Sequence, residues 1–369
     1  MTLEPNIAGR YDPDPRESPG MIVVETESPV LEPSSLTSPE ATSQIRSQRA
    51  SGRIPSLDGL RAISILMVVL GHARDTTGYP QRLGFLGQFS VHGVRIFFVI
   101  SGFLITTLLL REHERTGQIS LREFYKRRAF RILPAAVVMI AVVSLIWRPG
   151  WVSSLTALFF VRNYVGGDWY TGHFWSLSVE EQFYFLWPFL LVRFFERRRA
   201  IAIGGIILGP ISRWLSFSIT HHTVVWFPCL QDSIATGCML AFMRTELERW
   251  RPWIDRLVIP IAAAALLLYR YRYPPLVAPL VITPIVNVAI ALCIDHCIRK
   301  EYRLLNWTPV VWLGTLSYSL YLWQQPFLVP DSELWYNRWP LNIALAFAAA
   351  MLCHYLVEQP FLRLRKRVV

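Results

Sequence analysis

Ionisable side chains stand inside long apolar stretches of this sequence, where they are costly and usually mark a functional site. His72 ends one such stretch and Arg95 begins the next. Glu180 and Glu181 interrupt a third. A histidine suits general-base work on a hydroxyl, and a nearby carboxylate could orient its ring. These residues predict a catalytic site with His72 as base. Two alternatives stay open: His72 could be an interfacial residue, and Glu180 or Glu181 could simply pair with Arg95.

A second set of charged residues lies at the opposite ends of the apolar stretches. Asp58 and Arg61 are three residues apart and share a helix face, and so do Arg127 and Arg131 at a spacing of four. Two guanidinium groups on one face suit a phosphate-rich ligand, because arginine binds phosphate through two hydrogen bonds. The alternative is that these residues only flank membrane spans.

The distance between the two sets suggests what kind of molecule could connect them. Arg61 and His72 are eleven residues apart, which is roughly 16 Å of helical rise. A donor held by its phosphates near Arg61 would need a long arm, such as the pantetheine arm of coenzyme A, to reach His72. Arg95 or Ser101 could stabilise the oxyanion, although Ser101 and Gly102 could instead permit close helix packing. Direct transfer and a covalent acyl-enzyme both remain open.

The elements that must position these residues are apolar helices. Of the 369 residues, 53% are hydrophobic and only 17% are charged, which is typical of a membrane protein. The apolar runs are 57–73, 91–110, 132–148, 152–163, 175–195, 200–217, 226–243, 255–270, 276–295, 309–330 and 340–358. The run 152–163 is too short to span a bilayer. We therefore predict an all-α, polytopic membrane protein with about ten transmembrane helices.

The distribution of Lys and Arg predicts the orientation. With ten spans and a cytoplasmic N-terminus, the inner segments carry 25 Lys and Arg residues and the outer segments carry seven. The positive-inside rule favours this arrangement, with both termini cytoplasmic. The protein is expected in the bacterial plasma membrane, with the lipid bilayer as a partner. The stretch 148–174 becomes an outer loop that carries Trp151, Trp169 and Tyr170 at the interface.

Other features of the sequence exclude several functions. Residues 1–52 are rich in Pro, Ser, Thr and Glu, which predicts a disordered cytoplasmic tail, separate from a transmembrane domain over 53–369. The net charge is +11, but the Lys and Arg residues lie beside the apolar runs and form no separate basic stripe. Nucleic acid is therefore not an expected partner. Cys293, His296 and Cys297 could imitate a metal site, but a fourth ligand is missing and no metal is expected.

Several motifs, in this order, resemble acyltransferase family 3, bacterial membrane O-acyltransferases that modify cell-envelope and other glycans. The matching segments are 56–63 (SLDGLRAI), His72, 97–105 (FFVISGFLI), 127–134 (RRAFRILP), 174–184 (FWSLSVEEQFY), 316–323 (LSYSLYLW) and 358–360 (EQP). Together they cover about residues 54–367. The resemblance implies a roughly ten-helix fold, an acyl-CoA donor, commonly acetyl-CoA, and a hydroxyl of a glycan as acceptor. It also implies that His72 is the base, that Arg127 and Arg131 serve the donor, and that Arg61 and the pair Glu180 and Glu181 are functional.

The sequence departs from the pattern of this family at two positions. Gln324 stands where the family commonly has a second histidine, and Leu230 and Gln231 precede Asp232 where a basic residue is common. Some members carry a fused soluble domain after the last span. None follows Val369 in this sequence, so a second catalytic step would need a partner. A transporter or flippase of glycan or acyl units is the alternative function, because intramembrane Arg, His and Glu also serve transport.

Overall fold

The fold consists of helices. A computed structural model describes residues 54–222, 224–268, 277–300 and 302–368, and no strand occurs within these ranges. The predicted tail over 1–52 lies outside the described residues. The helices are α1 Pro55–Ala73, α2 Ser90–Thr116, α3 Leu121–Ile146, α4 Trp151–Leu158, α5 Phe174–Arg193, α6 Arg198–Thr220, α7 Phe227–Met243, α8 Arg251–Leu268, α9 Thr283–Lys300, α10 Arg303–Asn306, α11 Thr308–Trp323, α12 Leu341–Cys353 and α13 Gln359–Val368. A π-helical turn, Ala278–Ile282, precedes α9, and another, His354–Glu358, joins α12 to α13.

The predicted all-α membrane class is confirmed at the level of helix type, length and composition. Six helical segments among the described residues are long and apolar enough to cross a membrane. They are Pro55–Ala73, Gln81–Thr116, Leu121–Ile146, Phe195–Thr220, Ala278–Lys300 and Leu341–Arg365. Four further apolar runs form α5, α7, α8 and α11, which are shorter or more polar. Ten spans with cytoplasmic termini therefore stay a prediction.

Two helix boundaries differ from the apolar runs in a way that matters for the site. Helix α3 begins at Leu121, because the Ser120 hydroxyl caps it by accepting from the Glu123 amide. Pro134 therefore lies inside the helix, and the arginines before it occupy the same helix as the apolar run. Helix α11 ends at Trp323, well before the end of run 309–330.

Backbone contacts between helices set the positions of the site helices. A Cβ atom on Gly102 of α2 would lie 1.9 Å from the Ile234 carbonyl oxygen of α7, and one on Gly237 would lie 2.0 Å from that of Val99. Between α11 and α1, a Cβ atom on Gly314 would lie 1.9 Å from the Asp58 carbonyl oxygen. Only glycine permits such approaches. The alternative interpretation of Gly102 as a packing residue is thus supported.

We predict that Gly102→Val and Gly237→Val each destabilise the helix bundle, because the added carbons would occupy the space of a facing backbone. The expected cost is at least ~1–3 kcal/mol. The measurement is thermal unfolding in detergent, followed as loss of the monodisperse peak in size-exclusion chromatography. Gly204→Val is the matched control, because a Cβ atom there meets nothing within 4 Å. Equal loss in all three variants would contradict the packing role.

Candidate active site

His72 lies in the last turn of α1, which ends at Ala73. Its ring stands edge-on to Trp169, with 5.7 Å between the ring centroids. The Nδ1 atom is buried and has no hydrogen-bond partner among the described residues, while the side chain borders two cavities. The ring therefore reaches the cavities through its Nε2 edge. An unprotonated Nε2 in this position could take a proton from a bound hydroxyl.

The loop between α4 and α5 holds Trp169 over His72. Arg162 of this loop is buried, and its guanidinium donates to the Thr171 hydroxyl at 3.2 Å and to the Asp168 carbonyl at 3.1 Å. Trp169 in turn donates from its indole nitrogen to the Gln325 carbonyl at 3.0 Å. Charge-assisted bonds thus give the loop a fixed shape without regular secondary structure. The sequence predicted only an interfacial position for Trp169, and the structure adds its contact with His72, the candidate base.

A cavity of about 530 Å³ opens beside His72 and is called the histidine cavity. Two guanidinium groups, those of Arg95 and Arg213, line it. Arg213 of α6 donates to both carboxylate oxygens of Asp232 at 2.9 Å, and Asn287 donates to the same carboxylate at 3.1 Å. Arg95 donates to the Asn287 side-chain oxygen at 3.4 Å. Arg213 thus pairs with the Asp232 carboxylate directly, and Arg95 is connected to it through Asn287. Both guanidinium groups line the cavity beside His72, where they could stabilise negative charge that develops on an oxygen.

A second cavity, of about 580 Å³, lies under the loop and is called the loop cavity. It shares His72 with the histidine cavity, together with Trp175, Val224 and Val225. Its remaining walls include Asp168, Trp169 and His173. His72 therefore lies where the two spaces meet.

Glu180 belongs to a different, smaller space. The central cavity, of about 80 Å³, is lined by Arg61, Ser101, Arg128, Arg131, Glu180, Tyr184, Tyr318 and Tyr321, among others. Glu180 Oε1 accepts hydrogen bonds from the hydroxyls of Ser101 and Tyr184. The Arg128 guanidinium is 4.0 Å from the same oxygen and lies 3.3 Å above the Tyr184 ring. Glu180 thus orders polar groups of the central cavity and makes no bond to His72.

The other predicted residues near this cavity have defined partners as well. Arg61 donates to the Asp58 carboxylate at 3.3 Å, as their spacing predicts. Ser101 donates to Glu180 and lines the central cavity, not the histidine cavity. Glu181 is half-buried and interacts electrostatically with Arg128 and Arg131. Of the two residues considered for an oxyanion, only Arg95 lines the same cavity as His72.

Arginines dominate the cavity at the far end of the site, which is called the arginine cavity. It measures about 590 Å³. Six arginines line it, with Glu112 as the acidic lining residue: Arg111, Arg115, Arg127, Arg128, Arg131 and Arg365. Glu112 pairs with Arg127 at 2.9 Å, so most of the positive charge is left for a ligand. Guanidinium groups in this number suit an anion with several phosphates.

Neighbouring cavities of the site have lining residues in common. The arginine cavity and the central cavity share Arg128 and Arg131. The central cavity and the histidine cavity share Val94, Phe98 and Tyr321. A long molecule with a polyanionic end could therefore extend from the six arginines toward His72. The structure brings Arg127 and Arg131 to one end of this path and His72 to the other.

Buried polar atoms without partners concentrate around His72. Both ring nitrogens of His173 and both amide atoms of Gln324 lack a hydrogen-bond partner of good geometry within the described residues. His173 is 2% exposed and Gln324 is 0% exposed. Each such group costs about 1–3 kcal/mol if it stays unsatisfied. The region is thus prepared for polar groups that arrive with a substrate or with water.

Sequence reasoning missed several residues of this site. Arg365 lies near the C-terminus, where a basic residue is easily explained as a membrane flank. Arg213 supplies a cation next to Asp232, where the sequence has no basic residue immediately before the aspartate. Sequence reasoning missed it because Arg213 belongs to the preceding helix, α6. Tyr184 and His173 lie within or beside the motif at 174–184, but nothing in their spacing shows which cavity they face. His296, considered as a metal ligand, is bonded at both ring nitrogens, to Asp255 and to Tyr302, at 2.7 Å each.

Comparison with known proteins identifies the class to which this fold and site belong. A family model described as an acyltransferase domain matches residues 54–358. The chain therefore belongs to this acyltransferase family, and the predicted resemblance is confirmed. The apolar helices of the chain fit a membrane protein of this family. No solved structure matches the chain.

The curated relatives carry related names. The chain is 28% identical to peptidoglycan O-acetyltransferase OatA of Listeria monocytogenes, over 83% of this chain and 55% of the relative. It is 31% identical to O-acetyltransferase OatA of Staphylococcus aureus, over 75% of this chain and 51% of the relative. It is 28% identical to the putative peptidoglycan O-acetyltransferase YrhL of Bacillus subtilis, over 83% and 54%. The chain thus spans about half the length of these relatives.

We predict that Glu180→Ala destabilises the protein more than Glu181→Ala does. The first change removes an acceptor of two hydroxyl hydrogen bonds and the anion nearest Arg128, at about 1.5–3 kcal/mol for each bond to a charged group. Glu181 accepts no hydrogen bond among the described residues, which makes it a matched neighbour. The measurement is thermal unfolding of each purified variant in detergent. A larger loss for Glu181→Ala would contradict the assigned role of Glu180.

Proposed function

We propose that the protein is an O-acetyltransferase that transfers an acetyl group from acetyl-CoA to a hydroxyl of a cell-envelope glycan. The observation that carries this proposal is the series of cavities that leads from six arginines to His72. The names of the curated relatives support peptidoglycan as the first acceptor to test. The multi-pass protein would lie in the bacterial plasma membrane, with ten spans and both termini in the cytoplasm.

The arginine cavity suits the phosphates of the donor. In the proposed topology the basic segment 111–131 faces the cytoplasm, where acyl-CoA is made. Arg127, Arg131 and Arg365 would bind the phosphates there, and the pantetheine arm would extend through the central cavity past Arg61. The roughly 16 Å of helical rise between Arg61 and His72 is a length that this arm can cover.

His72 would act as the general base. Its Nε2 takes the proton of the acceptor hydroxyl while the acceptor oxygen forms a bond to the thioester carbonyl carbon. The carbon–sulfur bond then breaks, the thiolate of CoA leaves, and the proton held by His72 returns to it or to water. Arg95 and Arg213, which line the same cavity, would stabilise the oxyanion. The acceptor would reach His72 from the loop cavity on the opposite side of the membrane.

We expect His72→Ala to abolish O-acetylation without loss of protein. Ester-linked acetate in peptidoglycan and other envelope glycans is measured in cells that lack the protein and in cells that express wild type or the variant at equal abundance. Wild type should restore the ester and His72→Ala should not, because general-base catalysis contributes about 10²–10⁴-fold in rate. His222→Ala, an exposed histidine, is the control. Full activity of His72→Ala would exclude His72 as the base.

We expect Arg365→Ala and Arg131→Ala to raise the KM for acetyl-CoA by about tenfold or more, because each loses a charge-assisted contact worth about 1.5–3 kcal/mol. The release of free thiol from acetyl-CoA by the purified protein in lipid nanodiscs gives KM and kcat. Arg367→Ala is the matched control, because Arg367 is exposed on the same helix and does not line the arginine cavity. If Arg367→Ala had the same effect, the contribution of α13 would be general electrostatics and not a donor contact.

A further inference from the structure

Gln324 occupies an unusual position at the end of α11. Its backbone N–H still bonds to the Leu320 carbonyl at 3.1 Å, so the residue continues the last helical turn. Its side chain is fully buried, yet neither amide atom has a hydrogen-bond partner within the described residues. A buried primary amide without partners is destabilising. A partner for either amide atom would remove this cost.

The His72 ring is the group that Gln324 approaches. The chain neighbours Tyr321 and Gln325 line the two cavities that His72 borders, and the Gln324 side chain interacts with the imidazole. On the His72 ring, Nδ1 is the buried nitrogen that lacks a partner. A hydrogen bond between the two side chains would satisfy one atom of each. The two unpaired groups thus complement each other in place and in chemistry.

No described carboxylate bonds to His72 in the way that an orienting aspartate or glutamate would. Asp75 is the acidic residue that acts on the ring electrostatically, but it is half-exposed and pairs with Arg74 at 3.0 Å. Glu180 is bonded to groups of the central cavity. Asp168 lines the loop cavity beside His72, but its carboxylate accepts from the Thr171 amide at 3.2 Å. The other charged or titratable groups described around His72 are not carboxylates, and they include Arg95, Arg162, Arg213, His173 and Tyr321. A neutral amide is left to orient the ring.

We propose that Gln324 is the positioning residue of His72, its amide oxygen accepting the Nδ1 proton and so leaving Nε2 unprotonated toward the cavities. This inference rests on the proposed function in one respect, namely that His72 takes a proton through Nε2. The oxygen is the appropriate end of the amide, because it can accept from Nδ1–H in the neutral imidazole and in the imidazolium. If the amide NH₂ group faced Nδ1 instead, two N–H donors would point at each other once His72 is protonated on both nitrogens.

Three variants separate this role from packing. Gln324→Leu keeps most of the buried volume and removes both polar atoms. Gln324→Glu keeps an acceptor for the Nδ1 proton and removes the donor. Gln325→Leu is the matched control, because Gln325 is also buried and its side-chain oxygen also lacks a partner among the described residues.

The first measurement is the ¹⁵N spectrum of histidine-labelled full-length protein in lipid bilayers, with the His72 signals assigned from their loss in His72→Ala. At a pH where the ring is neutral, wild type and Gln324→Glu should show a protonated Nδ1 and an unprotonated Nε2. Gln324→Leu should shift toward the tautomer protonated at Nε2, and Gln325→Leu should not. A wild type protonated at Nε2, or an unchanged tautomer in Gln324→Leu, would overturn the proposal.

The second measurement uses turnover of acetyl-CoA by the same preparations. Gln324→Leu should lower kcat by about 10²-fold, within the range that general-base catalysis contributes, and leave the KM for acetyl-CoA unchanged. Gln324→Glu should retain more of the activity than Gln324→Leu. The tautomer is read without any turnover, so a protein with the expected tautomer but no acetyl transfer would contradict the proposed function and leave the role of Gln324 intact. An unchanged kcat in Gln324→Leu would contradict the role of Gln324 in turnover.

Discussion

The site depends on helices that approach until their backbones touch. Gly102 and Gly237 bring α2 against α7, and Gly314 brings α11 against α1. These contacts leave space elsewhere between the same helices, and that space holds the polar groups. A protein in lipid gains little from burying apolar surface between helices, so backbone proximity and hydrogen bonds carry much of the association. The glycines therefore determine where the cavities can form.

The three cavities between the arginines and His72 differ in the charged side chains that line them. The arginine cavity has six guanidinium groups and one carboxylate among its lining residues, which suits a ligand that brings its own negative charge. The central cavity has three guanidinium groups, those of Arg61, Arg128 and Arg131, and the Glu180 carboxylate among its lining residues. The histidine cavity keeps two arginines near one carboxylate, Asp232. Positive potential thus persists toward His72, where an oxyanion would form, without the cost of an isolated buried ion.

The loop after α4 and the end of α11 complete the site from one side. Arg162 gives the loop its shape, and Trp169 connects it both to His72 and to the backbone at Gln325. His173 and Gln324 add buried polar atoms that have no hydrogen-bond partner within the described part of the chain. These elements lie outside the long apolar helices, yet they decide the surroundings of the candidate base. Loops held by a rigid scaffold commonly carry function in this way.

The sequence alone determined the helical membrane class, the family, the Arg127–Arg131 face and the position of His72, because these follow from apolar length, helical periodicity and local motifs. Only the tertiary structure decided which charged groups meet. Glu180 faces Ser101 and Arg128 instead of His72, Arg213 reaches Asp232 from another helix, and Arg365 joins the arginine cavity from the end of the chain. The physical reason is that periodicity specifies a face of one helix, whereas partners across helices depend on packing angles and close approaches that no single segment encodes.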